Sequence, residues 1–168
     1  MVRRSQSIIL GKNKKKYNPL VIINIDEGKN REKLYSNIYK KNCKNIFFKN
    51  SFISKTSKSN MIKKKGIIVQ DHVKIMPCVQ ISHGAKINIG AQIHHDCKIG
   101  KFATVAPKAV LLGKVKVGNY SYIGANSTIK QNVKIGKGAI VGAGSTVIRN
   151  VKDFDIVVGK PAKSIKTK

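Results

Sequence analysis

Aliphatic residues recur at every sixth position through the second half of the chain. The column runs without interruption through Val69, Ile75, Ile81, Ile87, Ile93, Ile99, Val105, Leu111, Val117, Ile123, Ile129, Ile135, Val141 and Val147. A second column, two residues earlier and running from Ile67 to Ser145, contains only small or apolar residues. An internal repeat of fixed period is stronger evidence of architecture than any local propensity. The pattern therefore predicts a repeat protein rather than an ordinary globular domain.

A period of six predicts a solenoid in which short strands meet at tight corners. The large aliphatic residue would fill the interior of each flat side, and the small residue would fit the corner. Three hexads complete one triangular coil, and successive coils would stack at the ordinary strand spacing of about 4.8 Å. We therefore expect an all-β solenoid over residues 67–150, with four to five coils that bury their aliphatic residues on one another.

Residues eighteen apart should stack in columns on three outer faces. The first face carries Gln80, Lys98, Lys116 and Lys134. The second carries Lys74, Gln92, Val110, Thr128 and Thr146, and the third carries Ile68, Lys86, Thr104, Tyr122 and Ile140. Like charges at strand spacing repel each other, so the first face should be open to solvent. The other two faces are more neutral, and we expect them to make subunit contacts. A corner column of Gly100, Gly118 and Gly136 predicts positive φ or close backbone approach.

The region before the solenoid has a weaker pattern. Leu20–Ile25 and Ile46–Phe48 are predicted strands, and residues 30–41 are a predicted helix, so residues 1–50 are interpreted as a remnant βαβ segment. Residues 51–66 are polar and basic, typical of a linker or a ragged first coil, and residues 151–168 form a C-terminal tail. Some fifty residues cannot bury a sufficient core alone, so the N-terminal segment should pack on the solenoid.

The net charge of +27 suggests a polyanion partner, but composition favours a solvated surface. The basic residues are 30 Lys and 4 Arg, and Arg is the better reader of base edges. Charge is also spread along the chain, +15 over residues 1–66 and +12 over residues 67–168. Nucleic-acid binding therefore rests on charge alone, and we expect no specific nucleic-acid partner.

Cysteine usage and hydropathy indicate the compartment. Three cysteines without a pairing pattern suit a reducing environment. No apolar run approaches 18 residues, and the N-terminus lacks the apolar stretch of a signal peptide. We therefore expect a cytoplasmic protein without membrane insertion.

Candidate chemistry is concentrated in one hexad, which contains His94, His95, Asp96 and Cys97. We expect His95 on the corner between the second and third faces, where the Asp96 carboxylate could orient the imidazole as a general base. Gly113 should occupy the same corner one coil away, where its N–H could support an oxyanion. The alternative is a solvated polar corner. A metal site is disfavoured because neighbours in an extended chain point apart, so no metal is expected.

These residues lie in a stretch that resembles the hexapeptide-repeat acyltransferases. The sequence is IHHDCKIGKFATVAPKAVLLGKVKVGNYSYIGANSTIKQNVKIGKGAIVGAGSTVIRNV, followed by VVGKPAK. It is most similar to the branch that contains sialic-acid O-acetyltransferases and nucleotide-aminosugar N-acetyltransferases. The resemblance implies a left-handed parallel β-helix, a homotrimer and acetyl-CoA as co-substrate. The handedness comes from the resemblance alone, because periodicity does not reveal it.

The resemblance also implies roles for individual residues. The family's catalytic His-Asp or His-Glu pair matches His95 and Asp96, and its glycine at the acetyl carbonyl matches Gly113. Coenzyme A in that branch lies between two subunits, near positions that match Thr104, Ala125 and Ala143. Relatives often have histidine where this chain has Thr104.

The N-terminal segment departs from the family, because the G-x-G-type turn that holds a nucleotide sugar is absent and Asp26 stands where the family has a glycine.

The sequence as a whole is compatible with two functions. The first is an acetyl-CoA-dependent acetyltransferase that acts on an amino or hydroxyl group of a sugar or sugar nucleotide in surface-polysaccharide synthesis. The second is a catalytically degenerate β-helix with a structural or binding role.

Overall fold

The computed structural model describes residues 8–10, 21–23, 26–38, 46–62 and 64–165. Two helices are present in these ranges: α1 (Gly28–Ile38) and α2 (Lys55–Ile62). The strands before the regular repeat are β1 (Ile8–Leu10), β2 (Val21–Ile23), β3 (Ile46–Phe47) and β4 (Phe52–Ile53). None of the described helices is long and apolar enough to cross a membrane.

The repeat folds into two-residue strands, one to each hexad. They are β5 (Ile68–Val69), β6 (Lys74–Ile75), β7 (Gln80–Ile81), β8 (Lys86–Ile87), β9 (Gln92–Ile93), β10 (Lys98–Ile99), β11 (Thr104–Val105), β12 (Val110–Leu111), β13 (Lys116–Val117), β14 (Tyr122–Ile123), β15 (Thr128–Ile129), β16 (Lys134–Ile135), β17 (Ile140–Val141) and β18 (Thr146–Val147). The chain closes with β19 (Ile156–Gly159) and β20 (Ala162–Ser164).

Three parallel sheets form the sides of the prism. The first face is β7-β10-β13-β16, the second is β4-β6-β9-β12-β15-β18, and the third is β3-β5-β8-β11-β14-β17-β19, with β20 added antiparallel at its end. From β5 to β18, each strand pairs with the strand eighteen residues away, as in the register of Lys98 with Lys116. The predicted left-handed β-helix and its three faces are confirmed. The solenoid has about six turns rather than four to five, because β3, β4 and β19 extend it at both ends.

The inward aliphatic column forms the core. All fourteen of its members are at most 5% exposed, and they pack with the small corner residues into one continuous cluster. The residue before each small corner residue adopts left-handed backbone, as Asp96 does with a φ of 61°. The glycine column packs by close approach, because a Cβ on Gly100 would lie 2.6 Å from the Gly118 carbonyl carbon, and no positive φ is recorded there.

Helix α2 closes the lower end of the prism. Met61 is fully buried against the core, and the Ser57 hydroxyl donates to the Met76 carbonyl oxygen (2.7 Å) while accepting from the Val79 N–H (3.0 Å). The predicted ragged first coil is therefore a coil in which a helix replaces one strand. Without such a cap, the first layer of aliphatic side chains would face water.

The predicted βαβ remnant is not formed by the described residues. Strand β2 pairs antiparallel with β1, whereas β3 pairs in parallel with β5 of the solenoid. The Ile46 N–H donates to the Ile67 carbonyl oxygen (2.8 Å), so β3 already belongs to the third face. Helix α1 lies close to the predicted position, but residues 39–41 of the predicted helix fall outside the described residues.

A buried arginine attaches α1 to the third face. The Arg31 side chain is 1% exposed and donates to the carbonyl oxygens of Gly84 (2.8 Å), Phe102 (2.6 Å) and Ala103 (3.1 Å). It also donates to the carbonyl oxygen of Asp26 (3.1 Å). Burial lowers the pKa of Arg31 to about 10, while the charge of Asp26 acts in the opposite direction, so the guanidinium remains charged at neutral pH. The expected packing of the N-terminal segment on the solenoid is therefore observed.

This attachment changes the interpretation of the third face. Lys86 and Thr104 are 4% and 1% exposed, because Asp26 and Arg31 of the N-terminal segment contact them, and Ile68 on the same face is 6% exposed. The Lys86 ammonium pairs with the Asp26 carboxylate at 2.7 Å. The lower half of the third face is thus occupied within one chain, and only its upper part and the second face remain open to a subunit contact.

Candidate active site

The His95 and Asp96 side chains meet at the corner between β9 and β10. The distance from His95 Nδ1 to Asp96 Oδ2 is 2.8 Å, and both side chains are about half exposed. A carboxylate can only accept, so Nδ1–H is the donor, and in the neutral imidazole Nε2 then carries the lone pair. This corner joins the second face to the first, and the expectation that it joins the second to the third is wrong. The chain passes from the second face to the first at this corner, because the strand that follows β9 is β10 of the first face.

Gly113 lies directly beside the His95 imidazole. A Cβ on Gly113 would be 2.7 Å from both Cε1 and Nε2 of the ring, so any side chain would occupy the position of the imidazole. The backbone holds the pair in register, since the Lys114 N–H donates to the His95 carbonyl oxygen (2.9 Å). Within the described part of the chain, the Gly113 N–H has no acceptor. A free donor and a basic nitrogen therefore lie next to each other at one exposed corner.

The neighbours of the pair have structural roles. The Cys97 side chain points inward and its Sγ–H donates to the Leu112 carbonyl oxygen (3.1 Å). Burial raises the pKa of the Cys97 thiol to about 11, so it is not a nucleophile at neutral pH. His94 is half-buried beside the corner. Over the described ranges, no group of three or more His, Cys, Asp or Glu is placed to hold a metal ion.

Of the positions expected to contact coenzyme A, Ala125 and Ala143 stack on one corner, where the Gly144 N–H donates to the Ala125 carbonyl oxygen (2.7 Å). That corner joins the third face to the second. Thr104 is different, because its hydroxyl donates to the Asp26 carbonyl oxygen (2.8 Å) and accepts from Arg31 Nη1 (3.1 Å). With both bonds made and 1% exposure, the Thr104 side chain is closed to a coenzyme. In one chain, neither alanine shares a corner with Gly113.

A cavity of about 390 Å³ lies where α1 begins, between that helix and the upper third face. Its polar side is formed by Asp26, Glu27 and Lys29, and its apolar wall includes Tyr122, Ile140 and Phe154. Tyr120 also lines the cavity, stacks on Phe102 with ring centroids 6.0 Å apart, and donates to the Glu32 carboxylate (3.0 Å). The sequence does not reveal this cavity, because its walls come from segments about a hundred residues apart that share no periodic pattern.

Comparison with known proteins agrees with the β-helical fold. Residues 114–149 match the family model described as bacterial transferase hexapeptide (six repeats). A search of curated proteins finds no match. Solved structures include PerB from Caulobacter crescentus in complex with CoA and GDP-perosamine, which is 29% identical with a TM-score of 0.79. That match covers 84% of this chain and 68% of PerB.

Two further structures have the same fold. WeeI from Acinetobacter baumannii is 28% identical with a TM-score of 0.65, and the match covers 84% of this chain and 68% of WeeI. The acetyltransferase domain of PglB from Neisseria gonorrhoeae is 23% identical with a TM-score of 0.79, with the same coverages. Together, the repeat match and these structures support a hexapeptide-repeat β-helix acyltransferase. The predicted resemblance is confirmed by the repeat match and by the shared left-handed β-helix.

Proposed function

We propose that the transferase moves an acetyl group from acetyl-CoA to an amino or hydroxyl group of a sugar or sugar nucleotide, in surface glycan synthesis. The observation that carries the proposal is the His95 imidazole, held by Asp96 and lying against the Gly113 backbone. Similarity to PerB, which was solved with CoA and GDP-perosamine, supports the choice of donor and acceptor class. The intact corner argues against a degenerate β-helix.

The corner supplies the groups that acyl transfer requires. His95 Nε2 accepts the proton as the acceptor nitrogen or oxygen attacks the thioester carbonyl carbon, and the Asp96 carboxylate stabilises the imidazolium that forms. The negative charge that develops on the carbonyl oxygen is stabilised by the Gly113 N–H. Collapse of the tetrahedral intermediate expels the thiolate of coenzyme A, which takes up a proton, and the acetyl group stays on the acceptor. Acetyl-CoA is a co-substrate here, and the proposed step uses no metal.

The test is release of free thiol from acetyl-CoA over a panel of amino sugars and sugar nucleotides, with mass spectrometry of the acetylated product. Acetylation of at least one amino sugar supports the proposal. Absence of thiol release with every acceptor, from protein that binds coenzyme A, would favour the degenerate alternative. Product analysis also distinguishes N- from O-acetylation.

Gly113→Ala should lower turnover about a hundredfold with little change in stability. The new methyl group would displace the exposed His95 ring by about 1 Å or more, a misplacement worth about 10²-fold. The φ angle of Gly113 is not positive, so alanine fits its backbone. The free energy of unfolding should therefore change by less than about 0.5 kcal/mol. Steady-state kinetics and thermal unfolding check both statements. Gln131→Ala, on the same corner one coil higher, is the control and should retain turnover.

A homotrimer is expected, because the proposed coenzyme contacts at Gly113 and at Ala125 lie on different corners and need two chains to meet. The second face is the proposed contact, with Val110 half-buried at its centre. Light scattering should therefore give three times the chain mass of 18.5 kDa. Val110→Glu should dissociate the assembly and reduce turnover together. A monomeric wild-type protein with normal turnover would contradict both the trimer and the shared groove.

A further inference from the structure

The positive charge of the solenoid is concentrated on one side. Residues 67–151 contain eleven Lys and Arg residues, and eight of them lie on the first face or on the two corners that bound it. These eight are Lys98, Lys101, Lys114, Lys116, Lys130, Lys134, Lys137 and Arg149. We call this surface the basic face. Of the other three, Lys86 is buried and paired with Asp26, while Lys74 and Lys108 are exposed elsewhere.

The centre of the basic face is a ladder of stacked lysines. Backbone pairing places Lys98 beside Lys116 and Lys116 beside Lys134, and all three are exposed. Strand spacing sets these neighbours about 4.8 Å apart, so their charges repel. Among the described residues, no carboxylate forms an ion pair with any of the eight. The ladder is thus an uncompensated positive field, and binding an anion there would relieve the repulsion.

The field also affects a titrating neighbour on the edge of this face. The pKa of His83 is lowered, first by burial and then by the charges of Lys64, Lys101 and Lys65. His83 Nδ1 accepts the Lys65 N–H (3.1 Å), which is the role of a neutral imidazole. Acidic residues near the face are few: Asp96 is held by His95, and Asp153 accepts the Lys137 N–H (2.8 Å).

The basic face borders the candidate active site directly. His95 and Gly113 lie on its edge. The same corner column continues upward, at intervals of eighteen residues, through Gln131 to Arg149. Arg149 therefore lies three coils above His95. At the usual strand spacing, that separation is about 14 Å. A phosphate-rich group could therefore lie against the lysines while a reactive group attached to it reaches His95.

From this placement we propose that the basic face captures and steers the phosphate-bearing nucleotide portion of a substrate toward the His95 corner. The proposal rests on the proposed acetyltransfer. The shared ligand chemistry is a nucleotide with a diphosphate, which could be supplied by acetyl-CoA or by a sugar-nucleotide acceptor. Lysine suits this role, because a flexible point charge attracts phosphate without imposing a fixed geometry. Positive surfaces beside a site raise association rates by about 10–10³-fold at low ionic strength.

The experiment compares two acetyl donors in the wild-type protein and in two triple variants. The triple variant Lys98→Gln, Lys116→Gln, Lys134→Gln removes the ladder, and the matched triple variant Lys49→Gln, Lys55→Gln, Lys58→Gln removes the same charge from exposed lysines at the lower end of the solenoid. The donors are acetyl-CoA and S-acetyl-pantetheine, which carries the same thioester without phosphates. If acetyl-CoA is the steered substrate, its kcat/KM relative to that of S-acetyl-pantetheine should fall about tenfold in the ladder variant at low salt. The matched variant should keep the wild-type ratio.

Two further arms identify the steered substrate. The kcat/KM for a sugar-nucleotide acceptor is compared in the same way with that for the corresponding free amino sugar. A fall in this acceptor ratio alone would assign the basic face to the acceptor. Raising the salt to about 0.5 M, where the Debye length is only a few ångströms, should abolish the difference. Equal loss in the two triple variants, or unchanged ratios for both substrate pairs in an active ladder variant, would overturn the proposal. A wild-type protein that releases thiol with neither donor would instead refute the proposed acetyltransfer.

Discussion

Replacing His95 by alanine should lower turnover about 10²–10⁴-fold while leaving the fold intact, since this is the usual contribution of a positioned general base. The His95 side chain is 58% exposed, and its removal opens no cavity in the core. Binding of coenzyme A should persist, because the proposed contacts of the thioester lie on the Gly113 backbone. Steady-state kinetics measure the loss, and calorimetry with coenzyme A separates chemistry from binding.

The control for His95 is its neighbour. His94→Ala removes an identical side chain one position away, on a residue that does not contact Asp96, and should change turnover by less than about tenfold. Asp96→Asn should cost less than loss of the imidazole, because it disturbs the tautomer and leaves Nε2 in place. Full turnover in His95→Ala would show that the corner has no catalytic role.

Arg31→Met should release the N-terminal segment from the β-helix. Methionine retains much of the buried volume but removes the donors to the Gly84, Phe102 and Ala103 carbonyl oxygens and to Thr104. Each buried carbonyl oxygen left without its donor costs about 1–3 kcal/mol. The loss should be local, because the coils of the solenoid pair with one another independently of α1. Hydrogen exchange should therefore lose protection in residues 26–38 and keep it in residues 104–147.

Arg149→Met is the matched control, since Arg149 is exposed and no hydrogen bond joins it to the described residues. It should leave exchange in both regions unchanged. If α1 keeps its protection in Arg31→Met, contacts other than the arginine network hold the segment.

The one-sided charge of the solenoid shows how the fold changes a conclusion drawn from composition. Along the chain the lysines are spread evenly, which favours a merely solvated surface. Once the chain is wound at eighteen residues per turn, Lys98, Lys116 and Lys134 fall on one face, and the lysines of both adjoining corners join them. The eighteen-residue register already contains this information, because the order of the strands along the chain fixes which two faces each corner joins. The sequence-based assignment of the His95 corner reversed that order.

The sequence by itself determined the solenoid, its three faces and the pair of His95 and Asp96. Each coil buries its aliphatic residues only on the next coil, so a local repeat is enough to specify the whole β-helix. The tertiary structure alone decided where α1 packs, that β3 joins the solenoid, and that Thr104 is closed by Arg31 and Asp26. Those contacts join residues between 22 and 78 positions apart, outside the eighteen-residue register, and occur once each. A contact that does not repeat leaves no period in the sequence, and only the folded chain brings its partners together.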